Sequence, residues 1–156
     1  NDSLYMAKLN AKVIAFDIQE DAITSSKKLF DANNISYDND KVKFILDSHD
    51  NIDKYINDND EIKFATFNLG YLPSGDKSII TKKESTITAI EIILNHLSKD
   101  GVLSIICYYD HEGGMDEKIA VDDYLKNIDD KKFEVVKLDK YNDKRNVPIS
   151  YFVYHR

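Results

Sequence analysis

The chain has 156 residues, of which 42% are hydrophobic and 31% are charged, as expected for one ordinary globular domain. It carries one cysteine, Cys107, so it cannot form a disulfide within itself, and a reducing, cytoplasmic setting is expected. The formal net charge of −7 disfavours non-specific binding to nucleic acid, which needs a basic surface. The apolar runs are shorter than the ~18 residues that span a bilayer, so no membrane partner is expected.

Short apolar strands alternate with helical patterns along the chain. The first residues predict a helix that Asp2 or Ser3 would cap. Further helices are predicted at residues 20–32, 51–56, 83–97 and 116–128. Strands are predicted at residues 13–16, 42–46, 62–69, 102–109, 133–138 and 149–154.

This alternation predicts an α/β fold with a mostly parallel sheet flanked by helices. The last two strands are joined by residues 139–148 alone, too few for a helical crossover, so they should form an antiparallel hairpin. Such an outline is similar to that of class I S-adenosylmethionine-dependent methyltransferases. Glycine and proline are scarce and no linker is evident, so residues 1–156 are interpreted as a single domain.

Ligands of open α/β sheets bind beyond the carboxyl ends of the strands, and acidic residues follow the first two strands. Asp17, with Gln19 nearby, can accept hydrogen bonds from the ribose hydroxyls of a nucleoside cofactor; alternatively, Asp17 caps the next helix. Asp47 can accept from an adenine amino group, or Asp47 and Ser48 simply begin the following helix. His49 either stacks on a base or is an ordinary surface residue.

The third strand runs into the sequence Asn-Leu-Gly-Tyr-Leu-Pro at residues 68–73. Asn68 offers an amide carbonyl, the turn through Gly70 can aim a backbone carbonyl at the same point, and Tyr71 offers an aromatic face. Two neutral acceptors and a ring can hold an amine with its lone pair aimed at a sulfonium methyl group, which is catalysis by positioning. The alternative is an ordinary tight turn.

The fourth strand is followed by a loop with two glycines, Gly113 and Gly114, which would let the backbone approach a ligand. His111 in this loop is predicted to lie at the edge of the site, where it would bind a phosphate or orient a base. The alternative is a polar loop before a helix that starts at Asp116. The histidines and acids of the chain lack compact ligand spacing, so no metal site is expected.

Together these motifs resemble the signature of the putative rRNA methylase family, a class I methyltransferase group. The most specific block is residues 68–73, and it is followed by Gly75-Asp76-Lys77, Thr81 and Thr86. The weaker blocks occur in the family's order and cover essentially the whole chain: Phe16-Asp17-Ile18-Gln19, Asp47-Ser48-His49, His111-x-Gly113-Gly114, and Asn142, Asn146 and Pro148.

The resemblance implies an enzyme that uses S-adenosylmethionine to methylate the amino group of 5-aminomethyl-(2-thio)uridine at the wobble position of a tRNA anticodon loop. It implies catalytic roles for Asn68, Tyr71 and His111. It implies cofactor contacts by Asn1, Asp2, Asp17, Gln19, Asp47, Ser48, His49, Asn68 and Leu69. It implies substrate contacts by Gly70, Tyr71, Pro73, Lys77, Lys82, Tyr109, His111 and Asn146.

In this family the first strand and the glycine-rich cofactor loop would precede Asn1, so the domain is expected to be incomplete at its N-terminus. Two other functions stay open at this stage. One is an rRNA or small-molecule methyltransferase of the same fold, and the other is a nucleoside-binding module without catalysis. A homodimer is also considered, through an apolar face with Tyr151 and Tyr154 on a last strand at the sheet's edge.

Overall fold

The computed structural model describes residues 2–70, 82–143, 145 and 147–156, and the chain forms two compact units, Asn1–His49 and Asp50–Arg156. The first unit contains helix α1 (Asp2–Lys8), strand β1 (Val13–Asp17), helix α2 (Glu20–Ala32) and strand β2 (Val42–Leu46). A 3₁₀ helix (His49–Lys54) follows. The second unit continues with β3 (Ile62–Leu69), α3 (Lys83–His96), β4 (Leu97–Cys107), α4 (Gly114–Lys126), β5 (Phe133–Leu138) and β6 (Ile149–His155).

The first unit is built on a parallel pair of strands. β1 and β2 pair in register from Val13 with Val42 to Asp17 with Leu46, so their carboxyl ends are level. Phe30 of α2 packs edge-on against Phe44 of β2, with ring centroids 5.1 Å apart, and both side chains are buried. This small aromatic core fixes α2 against the strands and thereby fixes the edge where β1 and β2 end.

The second unit contains a four-stranded mixed sheet in the order β3-β4-β6-β5. β3 and β4 are parallel, whereas β6 is antiparallel to both β4 and β5. The predicted α/β fold with parallel pairing and a C-terminal antiparallel hairpin is therefore confirmed. None of the helices in the described residues is long and apolar enough to cross a membrane.

Alternate residues of β4 and β6 form the core of this second unit. Leu103 pairs with Val153 and Ile105 pairs with Tyr151, and all four side chains are almost fully buried. These residues share one face of the sheet, which is therefore apolar and buried, and in β4 the intervening Ser104 is buried as well. Helices α3 and α4 contribute Ile90 and Val121, respectively, to the buried residues of the same unit. Burial of this face fixes the register of β4 and β6, because a slip of one residue would turn the apolar side chains to the other face.

Several boundaries differ from the sequence-based predictions, and three of the differences concern β4, the short helix after β2 and α4. β4 starts at Leu97, directly after α3, and not at residue 102 as predicted, because Leu97 pairs with Ile62 and the register then shifts before Val102. Gly101 belongs to this irregularity, where a Cβ atom would lie 2.6 Å from the carbonyl oxygen of Ser98. The helix predicted at residues 51–56 is a 3₁₀ helix at His49–Lys54.

The third boundary is the start of α4, which begins at Gly114 and not at Asp116. Gly113 precedes it with a φ of 77°, a left-handed conformation that favours glycine. The helix consequently starts two residues closer to His111 than the acidic residues suggested. The predicted helix start at Asp116 is therefore wrong, both for the helix at residues 116–128 and for the alternative of a polar loop before it.

The strand considered for a homodimer is also placed differently from the prediction. β6 lies between β4 and β5 and is not an edge strand. Tyr151 is 1% exposed, and its hydroxyl donates a hydrogen bond to Asp122 Oδ1 at 3.0 Å. The side chain of Tyr151 is therefore part of the core. The dimer face considered above, with Tyr151 and Tyr154 on an edge strand, is not present.

Asp122 of α4 links this helix to β5 and β6. Its carboxylate accepts hydrogen bonds from Tyr151, from Lys137 Nζ at 2.8 Å and from Lys126 Nζ at 2.8 Å. Burial alone would raise the pKa of Asp122, but these three donors together lower it well below its ordinary value. The folded state therefore stabilises the ionised form of this side chain.

Replacing Asp122 by asparagine is expected to lower the free energy of unfolding by about 1–2 kcal/mol at pH 7. Because the folded pKa is depressed, this contribution is complete above the unfolded pKa of ~3.9 and is lost as the pH falls through and below that value. Urea unfolding between pH 7 and pH 3 should show a shallower acid dependence for the variant. Asp123→Asn on the exposed side of the same helix is the control, and equal acid dependence in both variants would contradict this role.

Candidate active site

In the first unit, two carboxylates follow the level ends of β1 and β2. Asp17 is the last residue of β1, and Asp47 is the first residue after β2. The backbone N–H of Asp47 donates to the carbonyl oxygen of Asp17 at 3.1 Å, so the strand register continues to this point. The structure therefore brings both predicted nucleoside-binding acids to one edge of one sheet.

Asp17 is a half-buried acceptor at this edge. Burial raises the pKa of its carboxyl group, and backbone N–H groups of Gln19 and Ile18 lower it by less. The N–H of Gln19, the residue that precedes α2, donates to Asp17 Oδ1 at 2.9 Å, and no side chain caps the helix. A desolvated carboxylate of this kind gains from added hydroxyl donors, which is the chemistry that a ribose offers.

Asp47, Ser48 and His49 directly follow β2. The backbone N–H of Ser48 donates to Asp47 Oδ1 at 2.7 Å, which holds the Asp47 side chain over its own backbone. His49 begins the 3₁₀ helix and is half-buried. Asp2 is exposed in the first turn of α1. The residues predicted to contact the cofactor after β2 thus lie together, and Asp47 and Ser48 directly precede the 3₁₀ helix, so the alternative interpretation of these two residues also stays open.

In the second unit, β3 and β4 end side by side. Asn68 is exposed near the end of β3 and is paired in register with Ile106, while the buried Leu69 is paired with Cys107. The N–H of Tyr108 donates to the carbonyl oxygen of Leu69 at 3.0 Å, which extends the ladder by one step. The side chain of Asn68 therefore stands at the carboxyl edge of a parallel pair, where substrates of such sheets bind.

Two glycines make room for the ring of His111. A Cβ atom added at Gly70 would lie 3.1 Å from Tyr108 Cβ and 3.6 Å from His111 Nε2. A Cβ atom added at Gly114 would lie 2.8 Å from His111 Nε2 and 2.8 Å from Tyr109 Cα. The sequence suggested that the second glycine admits a ligand, but in the structure the space beside it belongs to His111. The imidazole consequently lies between the residue that follows β3 and the start of α4.

The hydrogen bond at Nδ1 of His111 indicates which tautomer the ring adopts. Its Nδ1 lies 2.9 Å from the carbonyl oxygen of Glu112, and a carbonyl only accepts, so Nδ1 carries the proton. In the neutral ring the lone pair is then on Nε2, the atom nearest to Gly70. The acceptor atom of the ring is buried, and it lies beside Gly70, which follows β3 two residues after Asn68.

One buried polar pair of the site was missed by the sequence analysis. Thr86 Oγ1 donates to Glu117 Oε1 at 2.5 Å, and the two side chains are 0% and 3% exposed. The bond ties α3 to the first turn of α4, directly after the loop that carries His111. Thr86 was noted only as part of a motif, and no local pattern links two residues so far apart in the chain.

Cys107, which ends β4, is an inert thiol in this setting. Burial raises its pKa to about 12, and the charge of Glu117 adds to the effect. Cys107 is 2% exposed and packs as a small buried hydrophobe.

Replacing Thr86 by valine is expected to lower the free energy of unfolding by about 1–3 kcal/mol, because the buried carboxylate of Glu117 loses a hydrogen-bond donor. Thermal or urea unfolding measures this loss. Thr88→Val is the matched control, since Thr88 is exposed on the same helix and its hydroxyl donates only to the Glu84 carbonyl. A loss no larger than that of the control would show that the Thr86–Glu117 bond does not hold the two helices.

Some of the predicted site residues lie outside the described part of the chain. Asn1, Tyr71, Pro73, Lys77 and Asn146 belong to this group, so their assigned contacts stay predictions. Lys82 is exposed directly before α3, and Tyr109 is half-buried. Within residues 2–70, 82–143, 145 and 147–156, no three histidine, cysteine or acidic residues form a group that would hold a metal ion.

Comparison with known proteins places this geometry in a family. The profile of the family described as putative rRNA methylase matches residues 13–154. The chain belongs to the putative rRNA methylase family. A curated relative, the chloroplastic tRNA (mnm(5)s(2)U34)-methyltransferase of Arabidopsis thaliana, is 35% identical over 130 residues, which are 78% of this chain and 47% of that protein. The chain therefore spans about half the length of that curated relative.

Solved structures agree with the family assignment. A putative rRNA methylase from Clostridium thermocellum is 38% identical, with a TM-score of 0.92 over 100% of this chain and 83% of that one. A putative methyltransferase from Streptococcus mutans, crystallised in complex with SAH, is 37% identical, with a TM-score of 0.83 over 93% of this chain and 76% of that one. The mixed α/β arrangement with its C-terminal hairpin is thus a class I methyltransferase fold.

Proposed function

We propose that this member of the putative rRNA methylase family is an S-adenosylmethionine-dependent tRNA methyltransferase, and that residues 1–156 belong to one catalytic domain. Its proposed reaction converts 5-aminomethyl-(2-thio)uridine at the wobble position into the 5-methylaminomethyl form. The observation that carries the proposal is the end of β3, where Asn68 is exposed and Gly70, two residues later, lies beside Nε2 of His111. The similarity to a plant tRNA methyltransferase supports the choice of substrate.

The first unit supplies acceptors that suit the adenosine part of the cofactor. Asp17 is a desolvated carboxylate at the end of β1, which suits two ribose hydroxyl donors. Asp47 follows β2 and suits an adenine amino group, and Ser48 and His49 lie next to it. When bound, S-adenosylmethionine supplies an electrophilic methyl group on sulfur. The described acceptors fit the nucleoside moiety of that cofactor.

The second unit supplies the groups that prepare the amine. The side-chain carbonyl of Asn68 can accept one N–H of a neutral amine, which orients the nitrogen lone pair. His111 can accept the proton that the amine must lose, because Nε2 is the basic atom of its neutral ring. Neither step needs a buried anion, which agrees with the uncharged sequence at residues 68–73.

A methyl-transfer assay with different acceptors tests the substrate class. The full-length protein would be incubated with labelled S-adenosylmethionine and, separately, with undermodified tRNA, rRNA fragments and small amines. The proposal predicts label in the tRNA alone. Label in rRNA or in free amines would instead support one of the other methyltransferase functions. Cofactor binding without any transfer would support a nucleoside-binding module.

We further propose that the enzyme works in the cytoplasm. The support is the single buried thiol and the absence of any second cysteine in the sequence. The curated plant relative is chloroplastic, so this proposal assigns a different setting to the present chain.

A further inference from the structure

Tyr141 is a large aromatic side chain that contributes nothing to the core. Its relative exposure is 103%, so the whole ring is open to solvent. It lies in the connection between β5 and β6, where small polar residues normally suffice. A fully exposed ring gains no stability from burial, and its whole aromatic face is open to a ligand.

The backbone around Tyr141 is a defined turn. The N–H of Asp143 donates to the carbonyl oxygen of Lys140 at 3.1 Å, which closes a β-turn with Tyr141 and Asn142 at its centre. Arg145 braces the turn, since its Nε and Nη2 atoms bind the two carboxylate oxygens of Asp143 at 2.9 and 2.7 Å. Tyr141 is therefore presented on an organised support, which lowers the entropy lost when a partner binds.

The turn leaves the sheet at the same edge as the proposed catalytic residues of this unit. Leu138 at the end of β5 pairs with Ser150, and the neighbouring Ile149 of β6 pairs with Cys107 at the end of β4. Cys107 in turn pairs with Leu69, the neighbour of Asn68. Three strand spacings separate β3 from β5, which is about 14 Å. A ligand that reaches both Asn68 and the turn must be longer than one nucleoside.

The net negative charge of the chain determines which contacts can bind a ligand that carries phosphates. With a net charge of −7, long-range attraction to phosphates is weak, so contacts with bases must carry a larger share of the affinity. Base–aromatic stacking supplies such contacts in proteins that bind single-stranded nucleic acid. Lys140, which precedes Tyr141 in the turn and is exposed, adds one local cation.

We propose that Tyr141 is a stacking platform for an unpaired base of the same RNA loop whose reactive nucleoside lies at Asn68, with Lys140 beside its phosphates. This inference rests on the proposed function, because it needs RNA as the substrate. It adds a docking position at the edge of the second unit that is separate from the reacting groups.

Equilibrium binding of a fluorescent anticodon stem-loop RNA tests the platform. Tyr141→Ala should raise Kd by about 5- to 150-fold, whereas Tyr141→Phe keeps the ring and should keep the affinity. Tyr154→Ala is the matched control: Tyr154 is 40% exposed but pairs with Val102, which precedes Cys107 by five residues in β4 and is therefore away from the carboxyl end of that strand. Unchanged Kd for Tyr141→Ala, or an equal loss for Tyr141→Phe, would overturn the stacking role.

A second measurement separates this inference from the proposed function. Methylation of the isolated 5-aminomethyluridine nucleoside should be the same for Tyr141→Ala and the unmodified protein, while methylation of the stem-loop falls. If the protein binds the stem-loop through Tyr141 but methylates nothing in it, the proposed reaction fails and the docking platform stands. An equal fall on the nucleoside would place Tyr141 in the reacting site and overturn its role as a docking residue.

Discussion

Replacing Asn68 by alanine is expected to leave the affinity for S-adenosylmethionine nearly unchanged and to lower kcat on tRNA by about 100-fold or more. Asn68 is exposed at the end of β3 and contributes little to the core, so the fold should survive its loss. Without the amide carbonyl the amine is no longer oriented, and a misplacement of about 1 Å is sufficient for a loss of this size. Single-turnover methyl transfer at saturating cofactor measures the effect.

The matched control for this variant is Asn95→Ala, which removes an exposed asparagine from α3 at a distance along the chain from the site. It should have the kcat of the unmodified protein. If Asn68→Ala turns over at the normal rate, the end of β3 is not the site of the reaction. If it loses cofactor affinity by the same factor as kcat, Asn68 acts on the cofactor and not on the amine.

Replacing Asp17 by alanine is expected to raise Kd for S-adenosylmethionine by roughly 100-fold, because two charge-assisted hydrogen bonds to ribose hydroxyls are lost. At saturating cofactor kcat should recover, since Asp17 touches no reacting atom. Isothermal titration calorimetry measures Kd, and the thermal shift caused by the cofactor gives an independent estimate through linkage.

Asp21→Ala is the control for Asp17, because it removes the same charge from the exposed first turn of α2. Its Kd should stay within a few-fold of that of the unmodified protein. Equal losses in the two variants would mean that only the general charge of this region acts on the cofactor. An unchanged Kd in Asp17→Ala would remove β1 from the cofactor site.

Much of the fold was predictable because it depends on local patterns. The strands at residues 42–46, 62–69 and 133–138 and the helix at residues 20–32 have the predicted limits, since each is a clear apolar pattern bounded by polar or turn residues. The start of β4 was not predictable in this way. Its first residue, Leu97, continues the helical pattern of α3, and only pairing with Ile62 makes it a strand.

The candidate site was predictable to the extent that it follows from strand ends. Asp17, Asp47 and Asn68 were singled out because ligands bind where parallel strands stop, and the structure has them at or next to the ends of β1, β2 and β3, while their contacts stay predictions. The Thr86–Glu117 pair was not found, because it depends on the packing of two helices. The position of the His111 ring was also beyond sequence reasoning, since it requires two glycines that are distant in the chain to lie on either side of it.

The most direct test of the proposed reaction is nucleoside mass spectrometry of tRNA taken from cells that lack this gene, after incubation with the full-length protein and S-adenosylmethionine. The proposal predicts that 5-methylaminomethyl-(2-thio)uridine appears while its 5-aminomethyl precursor disappears, and that the Asn68→Ala variant fails to produce this change. A protein that binds the cofactor but leaves the mass of every tRNA nucleoside unchanged would contradict the assignment to wobble uridine.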